Sequence, residues 1–240
     1  VRFNSARLPG KPLVDIAGQT MIERVYRRAE RANSVDSVLV ATDDSRIADV
    51  VSKFGGNVCL TRSDHLSGSD RLAEVAESLT CDIIVNVQGD EPLLNPLLID
   101  AVLGRLLIDP SAPIATARCA ITDRSEFNNP NVVKVVVNSA EDALYFSRSP
   151  IPHQQEQAIH SNNIFGFKHI GLYAYRRSIL LELGKLSPTA LEQTERLEQL
   201  RALQYGYRIT TVETDDNPIG VDTAEDLDEV RRLILTGANE

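Results

Sequence analysis

The stretch DIIVNVQGDEP, residues 82–92, decides the fold. Residues 82–87 read as an apolar strand, and the run stops at the polar turn Gln88-Gly89-Asp90-Glu91-Pro92. A second strand of the same kind, VLVAT at 38–42, stops at Asp43-Asp44 and leads into a helix at 45–54 closed by Gly55-Gly56. Around these lie a helix at 19–32, with apolar Met21, Ile22, Val25, Tyr26 and Ala29 at helical spacing, a short strand at 57–60, and helices at 70–79 and 96–108. Apolar strands alternating with amphipathic helices indicate an α/β fold whose mostly parallel sheet is covered on both faces. In such sheets ligands sit at the carboxyl ends of the strands, where Asp90 falls.

Past residue 112 the pattern changes. Strands at 114–119, 132–137 and 169–175 follow without regular intervening helices, and the polar stretch 153–163 reads as a surface loop and lid candidate. A helix at 191–205, a strand at 208–213 and a helix at 223–235 complete the chain. Thr223 is the expected N-cap of the last helix, with Asp226 three residues on. The expected organisation is an α/β unit made of 1–112 and 206–240, carrying an inserted mixed α/β lobe at 113–205.

Composition narrows the function classes. With 42% hydrophobic and 25% charged residues in 240, and no apolar run long enough to span a bilayer, the chain reads as a globular protein without membrane insertion. A net charge of −9 argues against binding nucleic acid or anionic lipid through a broad basic surface, so an anionic ligand must meet a local basic site. Cys59, Cys81 and Cys119 lack metal-ligand spacing and read as reduced thiols in or near the core of a cytoplasmic protein.

The local basic site is the opening VRFNSARLPGKPL, where Arg2, Arg7 and Lys11 surround the Pro9-Gly10 turn ahead of a helix. This suits a triphosphate, and equally a solvated basic loop. It matches neither GxxxxGK[ST] nor GxGxxG. A phosphate loop at a βα turn hangs from a strand, so a short apolar strand is expected before Val1. Asp90, and Asp222 in IGVDTAED, each end a strand-like run, and two such carboxylates can share Mg²⁺. Taken singly, Asp90 also suits a turn former and Asp222 a helix cap. Arg62, Ser67, Gly68, Asp70 and Arg71, in TRSDHLSGSDRLAE, make either a nucleobase or phosphate loop or a capped helix start. His169 lies in an expected strand, where a lone histidine is more often a satisfied core residue. Glu198 and Gln199 read as a polar stripe beside Leu197 and Leu200, and Arg148 as a carboxylate anchor or a surface cation.

Taken together, RFNSARLPGKPL, TRSDHLSGSDRLAE, VNVQGDEP, NPNVVKVV, ALYFSRSPIP, HIGLYAY, LEQLR and GVDTAED resemble the 3-deoxy-manno-octulosonate (KDO) cytidylyltransferases through nearly the whole chain. LPGKP alone is shared with the sialic-acid cytidylyltransferases. The resemblance implies a Rossmann-like nucleotidyltransferase that uses CTP and Mg²⁺ to make CMP-KDO and pyrophosphate for lipopolysaccharide assembly in the cytoplasm. It implies that Arg2 and Lys11 hold the phosphates, that Arg71, Gln88, Ser67 and Gly68 serve the nucleotide, and that Asp90 and Asp222 ligate Mg²⁺. Arg148, His169, Tyr173, Glu198 and Gln199 would surround the sugar, with a homodimer formed through the inserted lobe. Competing readings are transfer to sialic acid or an amino-substituted KDO, and a non-catalytic nucleotide-binding protein on the same fold.

Overall fold

The computed structural model describes residues 1–3, 8–65, 67–155 and 163–237. A 3-10 turn at Lys11–Leu13 leads into the small antiparallel hairpin β1 (Asp15–Ile16) and β2 (Gln19–Thr20). Helix α1 (Met21–Glu30) starts there because the Thr20 hydroxyl accepts the Glu23 N–H, and it buries Met21, Ile22, Val25, Tyr26 and Ala29 on one face. Then come β3 (Leu39–Thr42), α2 (Ser45–Lys53) capped by Asp44, β4 (Asn57–Leu60) and α3 (Gly68–Ser78). The chain continues through β5 (Ile83–Asn86), α4 (Pro96–Ile108), β6 (Ile114–Ile121), α5 (Arg124–Asn128), β7 (Lys134–Val137) and β8 (Ala143–Ser147). It ends with β9 (Gly166–Arg176), α6 (Arg177–Leu183), α7 (Ala190–Glu195), α8 (Gln199–Gln204), β10 (Ile209–Glu213) and α9 (Ala224–Leu235). Among the described residues no helix is long and apolar enough to cross a membrane.

The chain divides into two compact units. The first comprises Val1–Leu79, Val87–Asp100 and Pro218–Glu240; the second comprises Thr80–Asn86 and Ala101–Asn217. These boundaries run elsewhere than the 1–112, 113–205 and 206–240 division read from the sequence. The reason is β9, which recruits β5 and β6 as antiparallel neighbours, while β6 in turn takes β10 as a parallel neighbour.

In the first unit β3 and β4 pair in parallel, Leu39 opposite Asn57. One core packs Ile22, Tyr26, Val40, Ile47 and Val51; the other packs Ile16, Met21, Val221, Leu227 and Val230, so the end of the chain closes over its beginning. In the second unit a six-stranded sheet runs β10-β6-β9-β7-β8, with β5 also on β9. The expected mostly parallel sheet is therefore corrected to a mixed one. Among the described residues only β10–β6 is parallel here, while β9 is antiparallel to β5, β6 and β7. A strand buried on both faces is apolar in either direction, so the pattern carries no polarity.

Two further expectations change. The helix at 191–205 is two helices, broken where Arg196 takes the left-handed conformation at φ 54°. The three cysteines are free thiols, as read, but Cys81 is exposed where a core or near-core position was expected.

Candidate active site

The first unit gathers charges from three distant turns. Gly10 ends the opening loop at φ 69°, a left-handed turn that glycine adopts at no steric cost, and a Cβ there would lie 3.3 Å from the Phe3 ring. That turn delivers Lys11. Its Nζ donates to Asp90 Oδ2 at 2.6 Å and to Asp222 Oδ1 at 3.0 Å. The turns carrying the two carboxylates are tied by a 2.8 Å hydrogen bond from Val221 N–H to the Asp90 carbonyl. Burial opposes the charge on Lys11, yet Asp90 and Asp222 outweigh it and hold the ammonium above its ordinary pKa.

The helix-cap reading of Asp222 gives way to this arrangement. Thr223 is the N-cap of α9, and the reciprocal carboxylate is Asp226, which accepts the Thr223 and Asp222 N–H groups. The Asp222 side chain instead reaches Lys11, as does that of Asp90.

The residues fit a magnesium ion. Two carboxylates converge on one cation and stay 32% and 48% exposed, and among the described residues no group of three acidic, histidine or cysteine ligands exists. That donor set is too sparse for a cage of protein ligands. It suits an ion that binds one or two carboxylates and takes its other ligands from water and substrate phosphates.

Arg2 is exposed and donates to the His65 carbonyl at 2.7 Å. Loop 61–65 is held in turn by Glu74 of α3, which accepts the Arg62 N–H and contacts the His65 ring. Arg71 lies buried with Nη1 on Asp43 at 3.1 Å; its Nη2 is buried with no partner among the described residues. A Cβ on Gly89, the neighbour of Asp90, would lie 2.9 Å from the Val1 side chain, so the opening residues and the Asp90 turn belong to one neighbourhood. Ser67 caps α3 in a box with Asp70, Gly68 opens that helix with no described residue within 4 Å of where a Cβ would stand, and half-buried Gln88 begins the turn to Asp90. Arg7 lies outside the described residues.

In the second unit the candidates rest on an irregularity in β9. Thr116 of β6 pairs with Tyr173 while its neighbour Ala117 pairs with Ile170, so Gly171 and Leu172 bulge with no β6 partner. In a regular strand residues four apart stand about 13 Å apart. The bulge brings the His169 and Tyr173 rings to 5.3 Å, with Phe146 edge-on to His169 at 4.9 Å and Tyr175 stacked on Tyr173 at 5.6 Å. Burial holds the His169 imidazole neutral, its pKa lowered to about 3. Burial first, then Tyr175 and Glu198, push the Tyr173 hydroxyl well above its usual range, and that hydroxyl is buried without a partner among the described residues.

Arg148 is a tethered cation. Its Nε donates to the Glu195 carbonyl at 2.9 Å and its Nη1 to the Pro130 carbonyl at 3.1 Å. The Glu195 carboxylate accepts the Ser147 hydroxyl at 2.6 Å and the Arg148 N–H at 2.9 Å. The break at Arg196 lets α7 end on Glu195 while α8 starts afresh, with exposed Glu198 as its N-cap and Gln199 as its first residue. Glu198 and Gln199 are thus helix-start residues, not members of a continuous polar stripe.

Sequence reasoning missed Asp43, Thr116 and Glu195. Asp43 was visible as the end of a strand. Thr116 and Glu195 carried no local signal, since a threonine in a strand and a glutamate in a helix are ordinary.

Known proteins resemble this chain throughout. The cytidylyltransferase family profile matches residues 1–209. A 3-deoxy-manno-octulosonate cytidylyltransferase of Syntrophotalea carbinolica is 52% identical over 231 residues, covering 94% of this chain and 92% of that protein. The chain belongs to the 3-deoxy-manno-octulosonate cytidylyltransferase family. Another member, from Geobacter sulfurreducens, is 50% identical over 236 residues, covering 95% of this chain and 94% of its own. Among solved structures, a CMP:2-keto-3-deoxy-manno-octonic acid synthetase complexed with CTP is 45% identical with a TM-score of 0.93, covering 99% of this chain and 96% of that one. Family membership agrees with the α/β nucleotidyltransferase fold and the mixed sheet found here.

Proposed function

We propose that this chain transfers CMP from CTP to the anomeric hydroxyl of KDO, giving CMP-KDO and pyrophosphate for lipopolysaccharide biosynthesis. The observation that carries the site assignment is the convergence of Lys11, Asp90 and Asp222 from three distant turns on one point. In the reaction the anomeric oxygen attacks the α-phosphorus in line, the bond from that phosphorus to the bridging oxygen breaks, pyrophosphate leaves, and the hydroxyl proton passes to solvent. The residues contribute positioning and charge neutralisation, which dominate phosphoryl-type transfers. Lys11 and Arg2 meet the phosphates, and Arg71 Nη2, unpartnered among the described residues, supplies a further donor, with Ser67, Gly68 and Gln88 lining the nucleotide. Asp90 and Asp222 would hold Mg²⁺, which when bound neutralises phosphate charge and lowers the pKa of a coordinated hydroxyl. Arg148, a donor-only cation, suits the sugar carboxylate; His169, Tyr173, Glu198 and Gln199 offer donors and acceptors to its hydroxyls.

Pyrophosphate release from CTP with KDO and Mg²⁺ tests this reading, with ATP, GTP, UTP and sialic acid run in parallel. CTP and KDO together give turnover that a chelator abolishes. Turnover with another acid sugar and none with KDO overturns the substrate, and nucleotide binding with no turnover at all leaves only a binding protein. The proposal extends to a cytoplasmic homodimer assembled through the 113–205 lobe, which a solution mass of one or two chains by light scattering decides.

A further inference from the structure

Thr116 sits fully buried at the β9 bulge, and its hydroxyl oxygen has three polar neighbours. His169 Nε2 is 3.0 Å away, the Ile170 carbonyl 3.1 Å and the Leu172 carbonyl 2.8 Å. Leu172 lies in the bulge without a β6 partner and Ile170 is the last paired residue before it, so the hydroxyl offsets part of what the ladder loses there. A carbonyl oxygen only accepts, and a threonine hydroxyl has one proton. That proton goes to the carbonyls, so the third neighbour brings its own. Reversing the arrangement would leave two carbonyl oxygens against a bare hydroxyl lone pair.

We infer that Thr116 fixes His169 in the tautomer protonated on Nε2, making Nδ1 the bare acceptor that a sugar hydroxyl finds in this part of the site. The imidazole is neutral, so it carries a single ring proton and Nδ1 keeps its lone pair. Nδ1 has no hydrogen-bond partner among the described residues. Arg148 can only donate, so a bare imidazole nitrogen beside the Tyr173 ring supplies what a polyhydroxylated ligand also needs, an acceptor of fixed direction. Thr116 is a positioning residue, acting through His169. The ligand half of this inference rests on the reading that the second unit receives KDO; the tautomer half does not.

Long-range ¹H–¹⁵N correlation on protein labelled at its four histidines reads the tautomer directly, with His169→Gln assigning the signal. The wild type shows protonated Nε2 and bare Nδ1, and Thr116→Ser, which keeps the hydroxyl, shows the same. Thr116→Val gives a mixed or reversed tautomer and raises KM for KDO about tenfold while KM for CTP stays put. Adding KDO to the wild type shifts the Nδ1 resonance. A wild-type ring protonated on Nδ1 overturns the inference without any variant, as does a folded Thr116→Val protein with unchanged tautomer and unchanged KM for KDO. An Nε2-protonated ring in a protein that turns over no KDO supports the tautomer and overturns the substrate reading, so the two failures are distinct.

Discussion

The two units place their functional side chains by different means. In the first, Lys11, Asp90 and Asp222 sit on turns, and their charges draw them together across 79 and 211 residues of chain. In the second, His169 and Tyr173 are brought together by a strand defect, and Arg148 by a helix that stops at Glu195. Charged turns tolerate changes of detail but not of charge. A bulge and a helix break depend on backbone shape and on the hydrogen bonds that hold it. On the proposed function, substitutions in the two units therefore differ in kind: those in the first are expected to act on rate, those in the second on sugar affinity and on stability.

The largest effects belong to the first unit. Asp90→Asn and Asp222→Asn each keep the side chain's size and a contact to Lys11 while removing a charge. Each lowers kcat by about 10²–10³-fold with the fold retained, as pyrophosphate release and circular dichroism measure. If either keeps near wild-type turnover, the charged-turn side of the comparison loses that residue.

This contrast also explains what the sequence made legible. Asp90 and Asp222 were readable because a carboxylate directly after an apolar run is a local pattern, and Thr223 with Asp226 was readable as a cap for the same reason. Nothing local marks HIGLY as a bulge. It falls between the segment of β9 that pairs with β7, Phe167 and Lys168, and the segment that pairs with β5, Tyr173–Arg176, and those partners lie far away in the sequence. The polarity of β9 was hidden because Ile170, Leu172 and Ala174 are buried and would be apolar in either direction. The break at Arg196 was hidden because the run 190–205, with Leu191 before it and Leu197 and Leu200 after it, contains no glycine or proline to mark a stop. The polar loop 153–163, read as a lid candidate, lies partly outside the described residues.

Acid should act on the second unit through His169. Its pKa is about 3 in the folded protein and about 6.5 in the unfolded chain. Between those values the unfolded state holds the extra proton, so stability is lost as pH falls from 6.5 towards 3, by about 1.4 kcal/mol per unit. Denaturant melts at pH 6.5 and 4.5 show the wild type losing about 2–3 kcal/mol more than His169→Gln over this interval. Equal losses in the two proteins break the claim that His169 is held neutral.

Glu195→Gln tests the helix break at a smaller scale. The amide places an N–H group against either the Ser147 hydroxyl or the Arg148 N–H, where the carboxylate accepted both. Losing one charge-assisted bond raises KM for KDO roughly tenfold and leaves KM for CTP unchanged. A matching change in KM for CTP contradicts the division of labour between the units.

The smallest effect comes from the break itself. Arg196 holds φ 54° with an exposed side chain that makes no hydrogen bond or ion pair among the described residues, so its contribution is backbone shape. A non-glycine residue in that region is strained by about 1–2 kcal/mol, and glycine relieves the strain while adding freedom to the unfolded chain. Arg196→Gly therefore leaves stability unchanged or raises it by up to about 1 kcal/mol, with KM for KDO unaltered. Arg196→Val, β-branched at a positive φ, lowers stability by on the order of 1–2 kcal/mol and loosens Glu195 from Arg148. Thermal melts separate the pair. If Gly and Val destabilise equally, the left-handed residue is not what ends α7 on Glu195, and the guanidinium of Arg196 holds the break in its place.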